Sequence, residues 1–166
     1  MAPSPLTALT PLDGRYSSKV EPLRPYFSEL GLIRYRVLVE VEWLKALAAD
    51  PAIREVPKFS AATIKTLDAL VRGFSEADGA TVKKIEARTN HDVKAIEYFL
   101  KGRLAGNKEI AKVAEFIHFA CTSEDINNLS YALMLAESRE SVMLPKLDEL
   151  IAVLRELAHR HAALAM

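Results

Sequence analysis

Apolar residues recur at intervals of three and four along most of the chain, which is the period of an α-helix that buries one face. The strongest run lies between about Ser28 and Ala49, where two apolar stripes follow the same segment. One stripe is Leu30, Ile33, Val37, Val41, Leu44 and Ala48, and the other is Leu32, Tyr35, Val39, Trp43 and Ala46. Two stripes predict a helix that packs against neighbours on more than one side.

Capping residues and prolines divide the remainder of the chain into further helices. The pattern predicts helices over about residues 60–72, 75–86, 90–104, 110–120, 123–143 and 145–164. Ser60 and Ser75 are the expected caps of the first two, because a hydroxyl oxygen can accept a free N–H of the first turn. Pro145 must break, kink or restart the helix that begins near Ser123, since proline lacks an N–H and clashes with the preceding turn.

No segment alternates apolar and polar residues for more than a few positions, so the predicted fold class is all-α. Residues 1–27 hold five of the eight prolines, which predicts a leader of turns and extended pieces. The helix after Pro145 keeps a nearly heptad apolar stripe up to the last residue without a stop signal. We therefore expect a helical domain over residues 1–122 and, over residues 123–166, the beginning of a long-helix bundle that is truncated.

Composition narrows the classes of function. The chain has 22 Lys and Arg against 22 Asp and Glu, so its formal net charge is zero and no overall field attracts nucleic acid or an anionic membrane. Any anionic ligand must therefore be held by local donors. Cys121 is the single cysteine, which excludes an internal disulfide and suggests a reducing compartment. No apolar run approaches the ~20 residues that span a bilayer, and no targeting leader is recognisable, so we expect a cytoplasmic protein.

Two polar clusters precede or begin predicted elements. Arg15 and Tyr16 follow an Asp-Gly turn and offer a guanidinium and a phenol to a phosphate or a ring. Asn90, His91 and Asp92 stand at the start of the 90–104 helix, with Asn90 or Thr89 as the candidate cap and His91 in the first turn. An imidazole at that place can donate to an anion or carry a proton. Read alone, both clusters are also compatible with solvated surface turns.

A third cluster, Thr122 and Ser123, precedes Asp125 at the predicted start of the 123–143 helix. If either hydroxyl residue is the N-cap, Asp125 falls in the first turn, where a negative charge complements the helix dipole. The free N–H groups and the two hydroxyls would then converge on one spot that suits a carboxylate or a phosphate. The simpler interpretation is that these residues only cap a helix.

Other chemistries find less support in the sequence. His118 and Cys121 lie one turn apart and could supply two metal ligands, but nothing completes the shell. A nucleophilic Cys121 would need an oriented histidine, and a buried small thiol is the simpler interpretation. No glycine-rich phosphate loop is present. The residues by themselves indicate an anion-binding all-α protein and do not name a reaction.

Three blocks carry a resemblance to a known family: Leu12–Tyr16 (LDGRY), Thr89–Leu100 (TNHDVKAIEYFL) and Phe116–Leu129 (FIHFACTSEDINNL). They closely resemble the amino-terminal part of the adenylosuccinate lyase family, which belongs to the fumarase/aspartase superfamily. The second and third blocks together are specific, whereas the Thr-Ser-x-Asp core alone indicates only the superfamily. The segment 90–94 disfavours the related argininosuccinate lyases.

The resemblance implies a fumarase/aspartase-like helical domain and a homotetramer whose active sites combine residues of several subunits. It implies elimination of fumarate from adenylosuccinate, giving AMP, and from the succinyl-aminoimidazole-carboxamide ribotide of purine synthesis, without a cofactor or a metal. Carried over by position, Arg15 and Tyr16 would contact the nucleotide. Asn90, His91 and Asp92 would line the substrate pocket. Thr122 and Ser123 would contact the succinyl carboxylate. His91 would hydrogen-bond the substrate or assist proton transfer.

The chain departs from the family in one decisive respect. The family's proton-transfer groups are the His of a Thr-His-Gly-Gln block and the Ser of a flexible loop, and both are expected beyond Met166. We therefore expect these 166 residues to be inactive alone. The alternative is a non-catalytic truncated product that associates with full-length subunits. Two smaller departures affect only the local contacts of Arg88 and Tyr131. Ala87-Arg88 stands where the resemblance implies an Arg followed by a small or β-branched residue, and Tyr131 stands where the family usually has His.

Overall fold

A computed structural model describes residues 8–165 of the chain. Within that range the regular structure is helical and no strand occurs, so the all-α prediction is confirmed. The α-helices are α1 Arg24–Phe27, α2 Glu29–Ala49, α3 Ala61–Arg72, α4 Glu76–Thr89, α5 Asp92–Leu104, α6 Lys108–Lys112, α7 Ser123–Ser138 and α8 Leu144–Arg160. Glu21–Leu23 and Ala114–Phe116 form 3-10 turns, and Arg139–Met143 forms a π-helical turn.

Helix α2 is the centre of the main core, as its two stripes predict. Val37, Val41 and Leu44 on the first stripe are fully buried, and Tyr35 and Val39 on the second are also buried. The apolar face predicted for α5 is buried as well, through Ile96, Phe99, Leu100 and Leu104. The hydrophobic effect on these faces holds α2, α3, α4 and α5 together.

The two predicted serine caps are confirmed. The Ser60 hydroxyl accepts the N–H of Thr63 at 3.3 Å and begins α3. Ser75 begins α4 with a full capping box, because the N–H of Asp78 donates to the Ser75 hydroxyl while the Asp78 carboxylate accepts the N–H of Ser75. Helix α4 continues to Thr89, three residues beyond the predicted end.

The prediction of a continuous helix over residues 110–120 is wrong. Helix α6 ends at Lys112, and a 3-10 turn and a tight loop follow, in which His118 and Ala120 have positive φ angles of 66° and 58°. The buried residues Ile110, Val113 and Ile117 keep the spacing that suggested a helix. Successive turns can place side chains inward at three- and four-residue intervals, so this spacing does not require a continuous helix.

Helix α7 begins at Ser123 as predicted, and Pro145 has the predicted local effect. Proline at position 145 cannot donate to the preceding turn, and its ring clashes with the carbonyl four residues earlier. The chain responds with the π-helical turn Arg139–Met143, whose wider ring relieves that contact before α8 begins at Leu144.

The described residues form two compact units. Residues 29–133 form one, and residues 8–28 together with residues 134–165 form the other. The predicted boundary between residues 122 and 123 lies inside the first unit and stays a prediction. Across residues 8–165, no helix is long and apolar enough to cross a membrane.

Candidate functional site

The segment Asn90-His91-Asp92 forms the junction between two helices. Asn90 ends α4 with φ 51° and ψ 36°, a left-handed conformation that asparagine tolerates and that commonly terminates a helix. His91 is extended and is the N-cap of α5, which begins at Asp92. The predicted cap at Asn90 or Thr89 and the predicted first-turn position of His91 are therefore wrong by one or two residues, because the left-handed Asn90 belongs to the preceding helix.

The His91 ring takes the part that a hydroxyl or carboxylate usually plays at a helix start. Its Nδ1 accepts the backbone N–H of Lys94 at 3.2 Å, so in the neutral ring the proton resides on Nε2. About half of the side chain is exposed. The cap therefore leaves Nε2–H as a donor that a ligand can reach.

Asp92 is held by a buried arginine of α2. Arg36 Nη2 donates to Asp92 Oδ2 at 2.6 Å, and Arg36 Nε donates to Asn127 Oδ1 of α7 at 2.9 Å. Only 7% of the Arg36 side chain is exposed. Beneath this network, Val39, Val93 and Ile126 form a small buried apolar cluster between the same three helices. Arg36 thus joins the beginnings of α5 and α7 directly.

The charge of Asp92 is stabilised at this position. Partial burial acts to raise the pKa of the carboxyl, but the Val93 N–H and the Arg36 guanidinium outweigh it and hold the pKa below its usual value. The Val93 N–H donates to Asp92 Oδ1 at 2.8 Å. Both Asp92 oxygens therefore already accept hydrogen bonds from the protein.

The start of α7 is a capping box formed by Thr122 and Asp125. The N–H and the hydroxyl of Thr122 donate to Asp125 Oδ2 at 2.7 and 2.8 Å, and the Asp125 N–H points back to the Thr122 hydroxyl at 3.4 Å. These bonds lower the pKa of the Asp125 carboxyl, with a smaller contribution from His118. The donors of Thr122 are therefore engaged by the chain itself. The half-buried Ser123 makes no side-chain hydrogen bond within residues 8–165.

Arg15 and Tyr16 lie on an exposed turn of the other unit. The predicted Asp13-Gly14 turn is present, since the Gly14 N–H donates to the Thr10 carbonyl at 3.1 Å. The guanidinium carbon of Arg15 lies 5.3 Å from the centroid of the Tyr16 ring, within range of a cation–π contact. Both residues are exposed.

Arg36 and Glu40 were not recognised from the sequence, and His118 was considered as a possible metal ligand. Glu40 is completely buried in α2, and its Oε1 lies 2.6 Å from His118 Nδ1. Arg36 and Glu40 are charged residues four positions apart inside an apolar run, and that unusual placement is the signal that could have identified them.

Cys121 is half-buried, less than the sequence suggested. Burial, followed by the charges of Glu40 and Asp125, raises the pKa of the thiol, which disfavours a nucleophilic thiolate. Within the described range, no group of three or more His, Cys, Asp and Glu side chains is arranged to hold a metal ion.

Comparison with known proteins gives consistent matches. A family model described as lyase matches residues 14–166. The chain is 55% identical over 163 residues to the adenylosuccinate lyase of Haemophilus influenzae, which is 98% of this chain and 36% of that protein. It is 59% identical over 155 residues to the adenylosuccinate lyase of Escherichia coli K12, which is 93% of this chain and 34% of that protein. The chain thus spans about a third of the length of these curated relatives.

Asp92→Asn tests the electrostatic contribution of the Arg36 pair. The pKa of Asp92 is lower in the folded state than in the unfolded state. The ionised carboxylate therefore stabilises the fold at pH values above the unfolded-state pKa, and this stabilisation is lost as the pH falls through the folded-state pKa. At neutral pH we expect the variant to lose about 1 kcal/mol of unfolding free energy, since half of the carboxylate is exposed. The difference from wild type should shrink below about pH 4.

Urea unfolding at pH values on both sides of that range measures the difference. Asp148→Asn, which removes an exposed carboxylate of α8 that has no ion pair within residues 8–165, is the matched control. If Asp92→Asn lowered the free energy of unfolding by the same amount at every pH, the electrostatic interpretation would be contradicted.

Proposed function

This chain belongs to the lyase family, and we propose that it forms the amino-terminal part of an adenylosuccinate lyase. The whole enzyme would eliminate fumarate from adenylosuccinate to give AMP, and from the succinyl-aminoimidazole-carboxamide ribotide of purine biosynthesis. The names of the relatives support the substrate, and their identity over more than nine-tenths of this chain supports the assignment.

The observation that carries the proposal is the position of Arg36. Two of the three polar clusters singled out in the sequence, 90–92 and 122–123, lie at the starts of α5 and α7, and both helices are bound to this one side chain. Elimination removes a proton beside a carboxylate, so negative charge increases on that carboxylate in the transition state. Donors fixed before the reaction can stabilise this charge by about 3 kcal/mol each.

The geometry supports distinct roles for the residues of this unit. Ser123, whose hydroxyl is free, and the N–H groups of the first turn of α7 would bind the succinyl carboxylate. Thr122 would act through the cap that it forms with Asp125, whose own carboxylate competes for the same donors. The accessible Nε2–H of His91 would donate to the substrate or assist proton transfer.

The remaining predicted residues would line and orient the substrate. Asn90 would contribute from the left-handed turn between α4 and α5, and Asp92 would fix the pocket wall through Arg36. In the other unit, Arg15 and Tyr16 would contact the nucleotide, with Arg15 at the phosphate, because a guanidinium can bind phosphate through two parallel hydrogen bonds.

We further propose that the protein acts as a homo-oligomer, a tetramer in the complete enzyme, in the cytoplasm. Helix α8 supports assembly, because its apolar stripe is exposed: Leu147, Leu150, Ile151, Leu154 and Leu157 are each between 42% and 56% accessible. An apolar surface of this kind is typical of a helix that packs against further helices.

Ser123→Ala in the complete lyase tests the carboxylate contact. Removing one donor that acts on the developing charge should lower kcat/KM by about 100-fold. The matched control is Ser130→Ala, also in α7, which removes a buried hydroxyl that donates to the Ile126 carbonyl at 2.8 Å. If Ser123→Ala and Ser130→Ala lowered kcat/KM equally, the carboxylate assignment would be wrong.

The 166-residue chain by itself should not release fumarate from adenylosuccinate. We assign proton transfer in the complete enzyme to the His of the Thr-His-Gly-Gln block and to the Ser of the family's flexible loop. Neither of these segments is among the 166 residues. Ultraviolet absorbance of fumarate follows the reaction continuously. Turnover by the purified chain that falls in Ser123→Ala would place the proton-transfer groups within these 166 residues and overturn this part of the proposal.

A further inference from the structure

A buried carboxyl in α2 faces the loop that leads into α7. Glu40 has no accessible surface, and its Oε1 lies 2.6 Å from Nδ1 of His118. The second oxygen, Oε2, has no hydrogen-bond partner among the described residues. A buried acceptor left unpaired is unfavourable, so the bond to His118 is the main interaction that stabilises this carboxyl.

The surroundings of Glu40 increase its dependence on the imidazole. Burial raises the pKa of the Glu40 carboxyl, and the nearby charge of Glu97 on α5 adds to this, while the hydrogen bond from His118 only partly offsets them. Glu97 has its own cations, because Lys94 and Lys101 lie 2.6 and 3.1 Å from its carboxylate. Within residues 8–165 no lysine or arginine forms an ion pair with Glu40, and His118 is the group there that can provide its countercharge.

The loop that carries His118 is attached to α2 at two points. Trp43, one turn after Glu40, donates its indole N–H to the carbonyl of Phe119 at 2.8 Å. Between these two attachments the backbone of His118 has a positive φ, which non-glycine residues adopt rarely. Helix α2 therefore determines where the His118 ring lies.

The other side of the ring is available. The side chain of His118 is 19% exposed, and its Nε2 makes no hydrogen bond within residues 8–165. His118 lies in the loop that leads into α7, where its carbonyl accepts the N–H of Cys121 at 3.4 Å, and its charge contributes to the lowered pKa of Asp125 in the first turn of α7. An imidazole nitrogen near a helix start that already favours anions adds a further donor to the same spot.

We propose that Glu40 is a positioning residue: it holds Nδ1 of His118 inward, so that Nε2 is presented to an anionic group bound at the start of α7. The identity of that group, the substrate carboxylate, rests on the proposed function, whereas the orientation of the ring does not. A purely structural Glu40–His118 pair is the competing interpretation, and the two differ in whether the effect of Glu40 passes through His118.

Nitrogen-15 NMR of the histidine rings in the 166-residue chain tests the orientation. In wild type we expect the His118 proton on Nδ1. In Glu40→Met, which is close in volume but cannot accept a hydrogen bond, the neutral ring should change mainly to the Nε2–H form. The control Glu97→Met should leave His118 unchanged. Retention of the Nδ1 proton in Glu40→Met would overturn the proposal.

Glu40→Leu provides a second variant if Glu40→Met does not fold. Leucine also cannot accept a hydrogen bond, so the neutral His118 ring should again change mainly to the Nε2–H form. Retention of the Nδ1 proton in Glu40→Leu would likewise contradict the proposal.

Kinetics of the complete lyase test whether the orientation is used. Glu40→Met should lower kcat/KM by about 10- to 100-fold, as expected when a buried group that orients a functional side chain is removed. The same substitution in a His118→Ala background should have little further effect, because the ring that Glu40 positions is gone. Additive losses would support a purely structural pair and overturn the functional part.

These measurements separate the inference from the proposed function. If the complete protein does not eliminate fumarate while NMR shows the change of tautomer, the proposed function fails and the positioning of His118 by Glu40 stands. If elimination is confirmed while the tautomer is insensitive to Glu40, the inference fails and the proposed function stands.

Discussion

The guanidinium of Arg36 is almost completely buried, and a buried charge is tolerated only when it is paired and hydrogen-bonded. Its partners are Asp92 at the start of α5 and Asn127 in the second turn of α7. These two helices are separated in the sequence by α6 and a loop, and this requirement brings their amino-terminal ends to the same side chain. Removing either partner would leave donors of Arg36 unsatisfied, so the two helix starts are energetically linked through it.

Helix α2 contributes both to the apolar core and to the polar site. Its apolar residues form the centre of the main core, while Arg36, Glu40 and Trp43 form hydrogen bonds with the segments that precede or begin α5 and α7. The position of the polar site is thereby determined by the packing of the core. This arrangement suits the proposed elimination, in which donors must be fixed before negative charge develops.

Much of the fold follows from periodicity and capping. The buried face of α5, the two-sided packing of α2, and the starts of α3, α4 and α7 depend on local spacing and on a hydroxyl near the first turn, and the structure confirms them. The helix predicted over residues 110–120 failed because inward residues at helical spacing can also be supplied by successive turns. The start of α5 was misplaced because local pattern does not reveal that Asn90 is left-handed.

The site was only partly predictable for a different reason. Thr122 with Asp125 is a contact between neighbours three residues apart, and its capping box can be read from the sequence. Arg36 lies 56 residues from Asp92, and Glu40 lies 78 residues from His118, so no local pattern identifies the partner of either. A charged residue inside an apolar helix indicates that a partner exists, but only the tertiary structure identifies it.

The link through Arg36 is tested most directly by hydrogen exchange of backbone amides in Arg36→Met. We expect that protection in the first turns of both α5 and α7 falls by about 10-fold or more relative to α3, which does not contact Arg36 by hydrogen bond or ion pair. Lys45→Met, which breaks the α2 ion pairs with Glu42 and Asp68, should leave both first turns protected. Loss of protection in only one of the two helices, or equal loss throughout the chain, would contradict the claim that Arg36 joins them.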